Sequence, residues 1–215
     1  MSQERSLYRM RIVFSKGEPV KYVGHLDLMR AWERMLRRAR VPLAYSQGFN
    51  PHPRMTLAMP LPVGCTGERE ELDILLTEPW AMEALLDCLR PAMPPGLEVI
   101  KACTVDLRAP ARPSCIQRAD YRVTLDGVSV DEVRRVVDGL LGQTAVEVEF
   151  RRKGYDLRPL IGGLAVDIQD DIVLLDMALL CDAQGRSGRP DVVVDALGLS
   201  EYLRSMHRRQ IVFAA

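Results

Sequence analysis

The segment that decides the fold is the alternating run Leu7-Tyr8-Arg9-Met10-Arg11-Ile12-Val13-Phe14. Every even-numbered position in this run is apolar or aromatic, and the odd-numbered positions include two arginines. A period of two is typical of a β-strand that buries one of its faces. We therefore predict a half-buried strand over residues 7–14.

A helix is predicted next, over residues 25–40, because apolar residues there recur at spacings of three and four. Pro42 ends this helix, since proline cannot continue the hydrogen-bonding pattern. The other side of the helix is basic. Its arginines are Arg30, Arg34, Arg37 and Arg38.

The remaining patterns of the first half predict further strands and a second helix. The predicted elements are a short strand at 41–45, a hairpin of strands 55–62 and 72–77 around Gly64 and Gly67, a helix at 81–89 and a strand at 97–104. Apart from the short strand at 41–45, the elements follow the order β-α-β-β-α-β, which is the ferredoxin-like pattern.

The second half repeats the pattern after a proline-containing linker at residues 108–118. Its predicted elements are a strand at 121–125, a helix at 130–141, strands at 145–152, 164–168 and 172–181, a helix at 190–199 and a strand at 210–213. We predict an α+β fold of two tandem ferredoxin-like units, residues 1–107 and 119–215, with antiparallel sheets and helices on one face. One larger α+β domain is the alternative.

A stiff loop separates the first helix from the hairpin. Its sequence is Tyr45-Ser46-Gln47-Gly48-Phe49-Asn50-Pro51-His52-Pro53-Arg54, in which two prolines exclude helix. Phe49 supplies a stacking plane, His52 a titratable donor and Arg54 a permanent charge, a combination that suits a nucleic-acid strand. The alternative is a simple turn between two strands.

The formal net charge is zero, but the charges are segregated along the chain. Residues 1–54 contain eleven Lys or Arg against four Asp or Glu, whereas residues 55–100 contain two against eight. A polyanionic partner would therefore meet a local basic patch.

Composition favours an ordinary cytoplasmic protein. The sequence has 215 residues, 47% of them hydrophobic, without the long apolar run of a membrane span. Its five cysteines are scattered and without a C-x-x-C pair, which predicts reduced, buried thiols. We expect no metal and no cofactor.

The basic helix and the loop together form the predicted RNA-binding surface, because the arginine fork suits phosphate and aromatic rings suit bases. An acidic protein surface or plain solvation of the arginines are the alternatives. The predicted RNA-binding residues are Lys21, Arg30, Arg34, Arg37, Arg38, Phe49, His52 and Arg54.

Candidate catalytic residues are few. His25 beside Asp27 and His52 in the loop could act as a general base, although His25 could equally serve only as a helix start. Asp156 and Arg158 predict a second polar contact site, with a strand edge as the alternative.

The motif combination resembles a bacterial family of uncharacterised proteins linked to radical S-adenosylmethionine enzymes. The resemblance rests on residues 21–30, 37–42, 46–53 and 60–64, and on Tyr155-Asp156-Leu157-Arg158-Pro159-Leu160-Ile161 and Arg189-Pro190-Asp191 in the second half. It implies a domain fused to, or encoded beside, a radical S-adenosylmethionine protein. The chain lacks the C-x-x-x-C-x-x-C cluster motif of those enzymes, which makes it the accessory part.

We therefore expect a noncatalytic protein that binds or positions RNA for a radical S-adenosylmethionine partner that modifies RNA. One alternative is a metal-independent endoribonuclease, to which the tandem fold gives a distant resemblance through the CRISPR repeat-processing enzymes. The other is a protein-interaction module that docks its basic patch on the partner enzyme.

Overall fold

The computed structural model of the protein describes residues 7–182 and 184–214. The chain divides into two compact units, and the division falls between Cys115 and Ile116. We refer to them as the N-terminal unit and the C-terminal unit. Each is a mixed α+β structure with antiparallel strand pairing, and the described residues contain four α-helices.

The N-terminal unit has the predicted element order β-α-β-β-α-β. The elements are β1 (Tyr8–Lys16), α1 (His25–Arg38), β2 (Met55–Leu57), β3 (Cys65–Leu76), α2 (Met82–Leu89) and β4 (Leu97–Val105). Within this unit β1 lies between β4 and β3, and β2 pairs with β3. The strand order is therefore β4-β1-β3-β2, and each of these pairings is antiparallel.

Both helices of this unit pack on the same face of the sheet. Met10, Ile12 and Phe14 of β1 belong to one buried cluster together with residues of α1 and α2. The ring of Trp32 in α1 meets Phe14 edge-on, with the ring centroids 4.9 Å apart. The alternation in residues 7–14 thus correctly predicted the core face of β1.

The segment between α1 and β2 differs from the prediction. The helix ends at Arg38 instead of residue 40, and Arg40 adopts a left-handed conformation with φ of 56°. Residues 41–45 form only isolated bridges, Leu43 with Leu76 and Tyr45 with Pro53. Pro42 lacks an N–H for a ladder, so no regular strand develops there.

The predicted hairpin is shorter on one side and longer on the other. Strand β2 covers three residues, whereas β3 already begins at Cys65 and includes Gly67. Only Gly64, with φ of 83°, belongs to the turn. A positive φ at this position favours glycine because other residues are strained there.

The C-terminal unit has the same order with a hairpin inserted after its first helix. Its elements are β5 (Ile116–Leu125), α3 (Val130–Leu141), β6 (Glu147–Phe150), β7 (Lys153–Asp156), β8 (Ile161–Gln169), β9 (Ile172–Leu180), α4 (Pro190–Ala196) and β10 (Leu203–Phe213). The strands of its main sheet follow the order β10-β5-β9-β8, and β6 and β7 form a separate two-stranded sheet.

Several boundaries in this unit differ from the prediction. Residues 116–118 belong to β5 and not to a linker, α4 ends at Ala196, and β10 begins seven residues before the predicted 210. The predicted strand 145–152 is confirmed only over residues 147–150, because Arg151 and Arg152 have φ of 53° and 65° and turn the chain into the hairpin. The predicted turn at residues 169–171 is confirmed, since β8 pairs with β9 around it.

The core of the C-terminal unit again follows the strand period. Alternate residues of β5 from Ala119 to Leu125 are buried, and so are Val133, Val137 and Leu140 of α3. Ser129 caps α3 by accepting a hydrogen bond from the Glu132 amide at 3.2 Å, as helix starts commonly require.

Two further predictions concern the burial of the cysteine thiols and the length of apolar segments. All five cysteines are free, but only Cys65 is fully buried, and the other four are half-buried. Burial raises the pKa of the Cys88 and Cys181 thiols. Among the described helices, none is both long and apolar enough to cross a membrane.

Candidate nucleic-acid interface

The loop after α1 is closed at its base by two hydrogen bonds. The Ser46 amide donates to the His52 carbonyl at 2.9 Å, and the His52 amide donates to Ser46 Oγ at 3.0 Å. Gly48 has a φ of 123° at the tip of the loop, a conformation that L residues rarely adopt. We call residues 46–54 the recognition loop.

Phe49 lies at the tip of the recognition loop and is fully exposed, with a relative accessibility of 106%. A side chain in this position makes no contribution to the core. Tyr45, at the base of the loop, is also exposed. The structure thus places an accessible aromatic ring on a segment held by prolines and cross-loop hydrogen bonds.

A cavity of about 470 Å³ lies at the base of the recognition loop. It brings together two predicted site residues, His52 and Arg54, with residues of three strands. We call it the loop cavity. The residues that line it are Leu7, Arg9, Ser46, His52, Pro53, Arg54, Met55, Thr56, Asp73, Leu75, Leu107 and Ala111.

Two arginines of β1 share one aspartate beside this cavity. Arg9 Nε donates to Asp73 Oδ2 at 2.9 Å and also bonds this carboxylate through Nη2. Arg11 donates to the two oxygens of Asp73 at 2.7 and 2.9 Å. The side chains of all three residues are 9% exposed, so these are buried charges.

The segment after β4 covers this face of the sheet. Arg9 Nη1 donates to the Ala109 carbonyl at 2.8 Å, and its Nη2 donates to the Pro110 carbonyl at 3.2 Å. Arg112 Nε donates to Glu71 at 2.8 Å, and Arg11 lies 3.3 Å from the same carboxylate. Strand β1 was predicted to bury only one of its faces. That is wrong, because Arg9 and Arg11 on its other face are buried as well.

We call Arg9, Arg11, Glu71, Asp73 and Arg112 the charge cluster. Burial alone would lower the pKa of Arg11, but the hydrogen bond to Asp73 and the charges of Asp73 and Glu71 outweigh it and raise that pKa. Arg9 and Asp73 of the cluster line the loop cavity, and Arg54 adds a positive charge there that favours an anion.

The charge cluster was not predicted from the sequence. The available signal was the alternation of Glu71 and Asp73 in β3, which matches the alternation of Arg9 and Arg11 in β1. These ion pairs cancel part of the charge segregation along the chain, because they join basic residues of the segment 1–54 to acidic residues of the segment 55–100.

The arginines of α1 are exposed, but most of them have partners. Arg30 lies 3.0 Å from Asp27, Arg37 lies 3.8 Å from Glu33, and Arg38 donates to the Ala92 carbonyl at 3.4 Å. Arg34 is exposed and has no ion-pair partner among the residues that the structure describes. These four arginines do not line the loop cavity.

Lys21 precedes α1 and is held by its neighbours. Its ammonium group lies 2.7 Å from Glu18 and 5.2 Å from the ring centroid of Tyr22. The hydrogen bond to Glu18 raises the pKa of Lys21. The predicted binding residues thus form two groups, the recognition loop and the end and outer side of α1.

The two candidate histidines lie in different places. His25 is the exposed first residue of α1, while His52 is exposed and lines the loop cavity with Arg54. Within residues 7–182 and 184–214, no three His, Cys, Asp or Glu side chains are arranged to hold a metal ion.

Asp156 and Arg158 bind the backbone of the C-terminal unit. Asp156 Oδ1 accepts from the amides of Val146 at 2.8 Å and Arg158 at 3.0 Å. The Arg158 guanidinium donates to the carbonyls of Leu141 at 3.1 Å and Ile161 at 3.3 Å. These contacts give both residues a structural role, and a second polar contact site there stays a prediction.

Comparison with known proteins identifies the family. The family described as "Uncharacterized protein conserved in bacteria (DUF2344)" matches residues 9–190. The chain belongs to this family. The matched part contains the recognition loop and the charge cluster. Comparison with curated proteins finds no match.

Among solved structures, this chain is similar to a chain in the crystal structure of a Cbf5-Nop10-Gar1 complex, with 10% identity and a TM-score of 0.50. The match covers 95% of this chain and 48% of that chain, so this chain spans about half the length of its neighbour. At this identity the likeness concerns the fold alone. An unknown protein from Galdieria sulphuraria is 13% identical over 96% of this chain and 99% of its own, and its TM-score of 0.28 supports no argument.

Proposed function

We propose that this protein binds single-stranded RNA through the N-terminal unit and positions it without catalysing a reaction. The observation that supports this most strongly is the full exposure of Phe49 at the tip of the recognition loop. The same loop presents His52 and Arg54 beside the loop cavity.

Single strands are bound by aromatic rings that stack on bases and by cations that contact phosphates. The recognition loop contains both kinds of group within six residues, from Phe49 to Arg54. The hydrogen bonds between Ser46 and His52 order the backbone at the base of the loop before binding, which lowers the entropy cost of association. The arginines on α1 would add contacts to the phosphate backbone.

We further propose that both units are ferredoxin-like. In each unit the last strand of the main sheet pairs with the first, the first with the third and the third with the second. The main sheet of each unit is antiparallel and is accompanied by two α-helices. Sheets of this kind serve as RNA-binding platforms in several protein classes, although a fold alone does not determine function.

The proposed partner is a radical S-adenosylmethionine protein that modifies the bound RNA. Its support is the sequence resemblance described above and the absence of a C-x-x-x-C-x-x-C motif from this sequence. An accessory protein of this kind would deliver RNA to the enzyme in the cytoplasm.

Binding of a fluorescent single-stranded RNA oligomer, measured by anisotropy over a series of salt concentrations, tests the proposal. We expect affinity to fall steeply with salt, because phosphate contacts release counterions. Changing Arg30, Arg34 and Arg37 together to alanine should weaken binding and lower the salt slope by about one for each phosphate that the variant no longer neutralises. Arg34 should contribute most, since the other two have acidic partners.

The matched control is the change of Arg134 and Arg135 in α3 to alanine, because both are exposed arginines on the first helix of the C-terminal unit. This variant should bind RNA as the wild type does. Salt-independent binding, or equally weakened binding in both variants, would contradict the proposal. Cleavage of the oligomer by the pure protein, abolished by His52→Ala, would replace it with an endoribonuclease.

A further inference from the structure

We propose that the loop cavity receives one nucleotide of the bound RNA, with its phosphate against Arg54 and His52. The inference rests on the proposed function and specifies which part of the RNA this site binds. The proposed nucleotide site is the loop cavity of the N-terminal unit. It is separate from the aromatic ring of Phe49 and from the arginines of α1.

The size and walls of the loop cavity fit a nucleotide. Its volume of about 470 Å³ falls within the usual range of small-ligand sites, roughly 300–1,000 Å³. Leu7, Leu75 and Leu107 provide apolar walls that can cover the faces of a base. Apolar walls with a few polar groups are typical of such sites.

Two hydroxyl groups supply hydrogen-bonding capacity in the same cavity. Ser46 Oγ accepts the His52 amide, and its own proton is available to donate. Thr56 of β2 is exposed and lies directly opposite Asp73 in the strand register. Hydroxyl groups both donate and accept, so they can bind base edges or a ribose 2′-hydroxyl.

The charges indicate where the phosphate lies. Arg9 already donates to Asp73 and to the carbonyls of Ala109 and Pro110, so it contributes potential to the cavity and not a direct contact. Arg54 is exposed and has no hydrogen-bond or ion-pair partner for its guanidinium group in the described part of the chain. A free guanidinium at the rim can bind a phosphate bidentately.

The chain connects this cavity to Phe49 over a short distance. His52 follows Phe49 by three positions, so their Cα atoms lie within about 11 Å of each other. An RNA strand that stacks one base on Phe49 therefore passes within reach of the loop cavity. Both contacts can be made by the same strand.

The test fills the cavity and removes its rim charge. Thr56→Phe places a ring in the cavity at an exposed strand position, where phenylalanine is well tolerated. Thr104→Phe is the matched control, because Thr104 is an exposed threonine of β4 outside the cavity. Arg54→Gln removes the rim charge, and Arg69→Gln is its control on exposed β3 surface.

Two probes are used, the RNA oligomer followed by anisotropy and adenosine monophosphate followed by NMR, with inorganic phosphate as comparison. We expect adenosine monophosphate to shift the amide signals of Met55 and Leu75, which line the cavity. Thr56→Phe should abolish these shifts and weaken oligomer binding about tenfold, Arg54→Gln should weaken both, and the two controls should bind normally. Thermal melting verifies that all four variants are folded.

The outcomes separate this inference from the proposed function. Normal oligomer binding by Thr56→Phe, combined with weakened binding by the α1 arginine variant, would overturn the nucleotide site and leave RNA binding intact. Equal shifts with inorganic phosphate and adenosine monophosphate would overturn it in favour of an anion site. Nucleotide binding that Thr56→Phe blocks, without any binding of the oligomer, would leave the cavity as a site for free nucleotides and refute both the proposed function and the placement of an RNA nucleotide there.

Discussion

The two units place the same ion pair at the same point of their sheets but in different surroundings. Arg11 lies directly opposite Asp73 in β1 and β3, and Arg122 lies directly opposite Asp176 in β5 and β9. The strand sequences around the acids are alike. They are Leu72-Asp73-Ile74-Leu75-Leu76 and Leu175-Asp176-Met177-Ala178-Leu179.

The difference lies in what covers the pair. In the N-terminal unit both side chains are 9% exposed beneath the segment that follows β4. In the C-terminal unit Arg122 and Asp176 are 36% and 35% exposed, and Asp176 lines a cavity of about 390 Å³. An identical pair can thus be buried in one unit and partly solvated in the other.

The insertions after the first helix differ in a similar way. The N-terminal unit has the recognition loop with its exposed Phe49, whereas the C-terminal unit has the hairpin of β6 and β7. Phe150 at the end of β6 lies beneath two arginines, with Arg189 at 4.3 Å and Arg151 at 5.3 Å from its ring centroid. Its ring is already engaged in cation–π contacts, which leaves the N-terminal loop as the better ligand site.

The largest expected effect comes from Asp73→Asn. The variant keeps the shape of the side chain but leaves Arg9 and Arg11 buried without their shared carboxylate. Loss of one partner from a buried ion pair costs about 3–5 kcal/mol of stability. Both tryptophans, Trp32 and Trp80, lie in the N-terminal unit, so their fluorescence in urea measures the unfolding of that unit.

Asp176→Asn is the matched control for this experiment. Since the pair with Arg122 is partly solvated, its removal should cost only about 0.2–1 kcal/mol. Equal destabilisation by the two substitutions would show that burial by the segment after β4 does not distinguish the pairs.

The next effect tests the insertions. Phe49→Ala should cost roughly 1–3 kcal/mol of RNA-binding free energy, the range for a stacked base, and leave the melting temperature unchanged because the ring is exposed. Phe150→Ala should leave RNA affinity unchanged. Anisotropy and thermal melting of the two variants measure both quantities, and a Phe49→Ala variant that binds like the wild type would refute the role of the loop.

Apart from the strand predicted at 41–45, the sequence was sufficient for the order of elements in the N-terminal unit, because periodicity and proline positions are local signals. The limits of prediction from the sequence are clearest at two tight turns. Asp170 and Asp171 have φ of 49° and 63°, and Asp is a common turn residue, so this turn was predicted. Arg151 and Arg152 adopt nearly the same conformation, but arginine gives no turn signal, and the β6–β7 hairpin was missed.

The candidate site was predictable in part for the same reason. Two prolines and a glycine identified the recognition loop from neighbouring residues alone. The charge cluster joins residues far apart in sequence, such as Arg11 with Asp73 and Arg9 with Ala109. Such contacts depend on strand register and on the path of the segment after β4, neither of which a periodic pattern contains.

The smallest expected effect is the pH dependence of the partly solvated Arg122–Asp176 pair. The hydrogen bond from Arg122, aided by the charges of Arg122 and Arg209 and opposed by burial, lowers the pKa of Asp176. Because the folded-state pKa lies below the unfolded value of about 3.9, the stabilisation is present above that pH and is lost as the pH falls through the folded pKa. Solvent screening at a side chain that is 35% exposed keeps the contribution small, within about 1 kcal/mol.

Urea unfolding followed by the NMR amide signals of β5 and β9 measures this contribution for the wild type and Asp176→Asn. We expect a difference in unfolding free energy between them near about pH 6 that shrinks as the pH falls below the unfolded value of about 3.9 and is lost as the pH passes through the lowered folded pKa. A difference that is unchanged at low pH would mean that the asparagine itself perturbs the strand. In that case the Arg122–Asp176 pair would not stabilise the C-terminal unit through its charge, and the comparison with the buried pair would rest on packing alone.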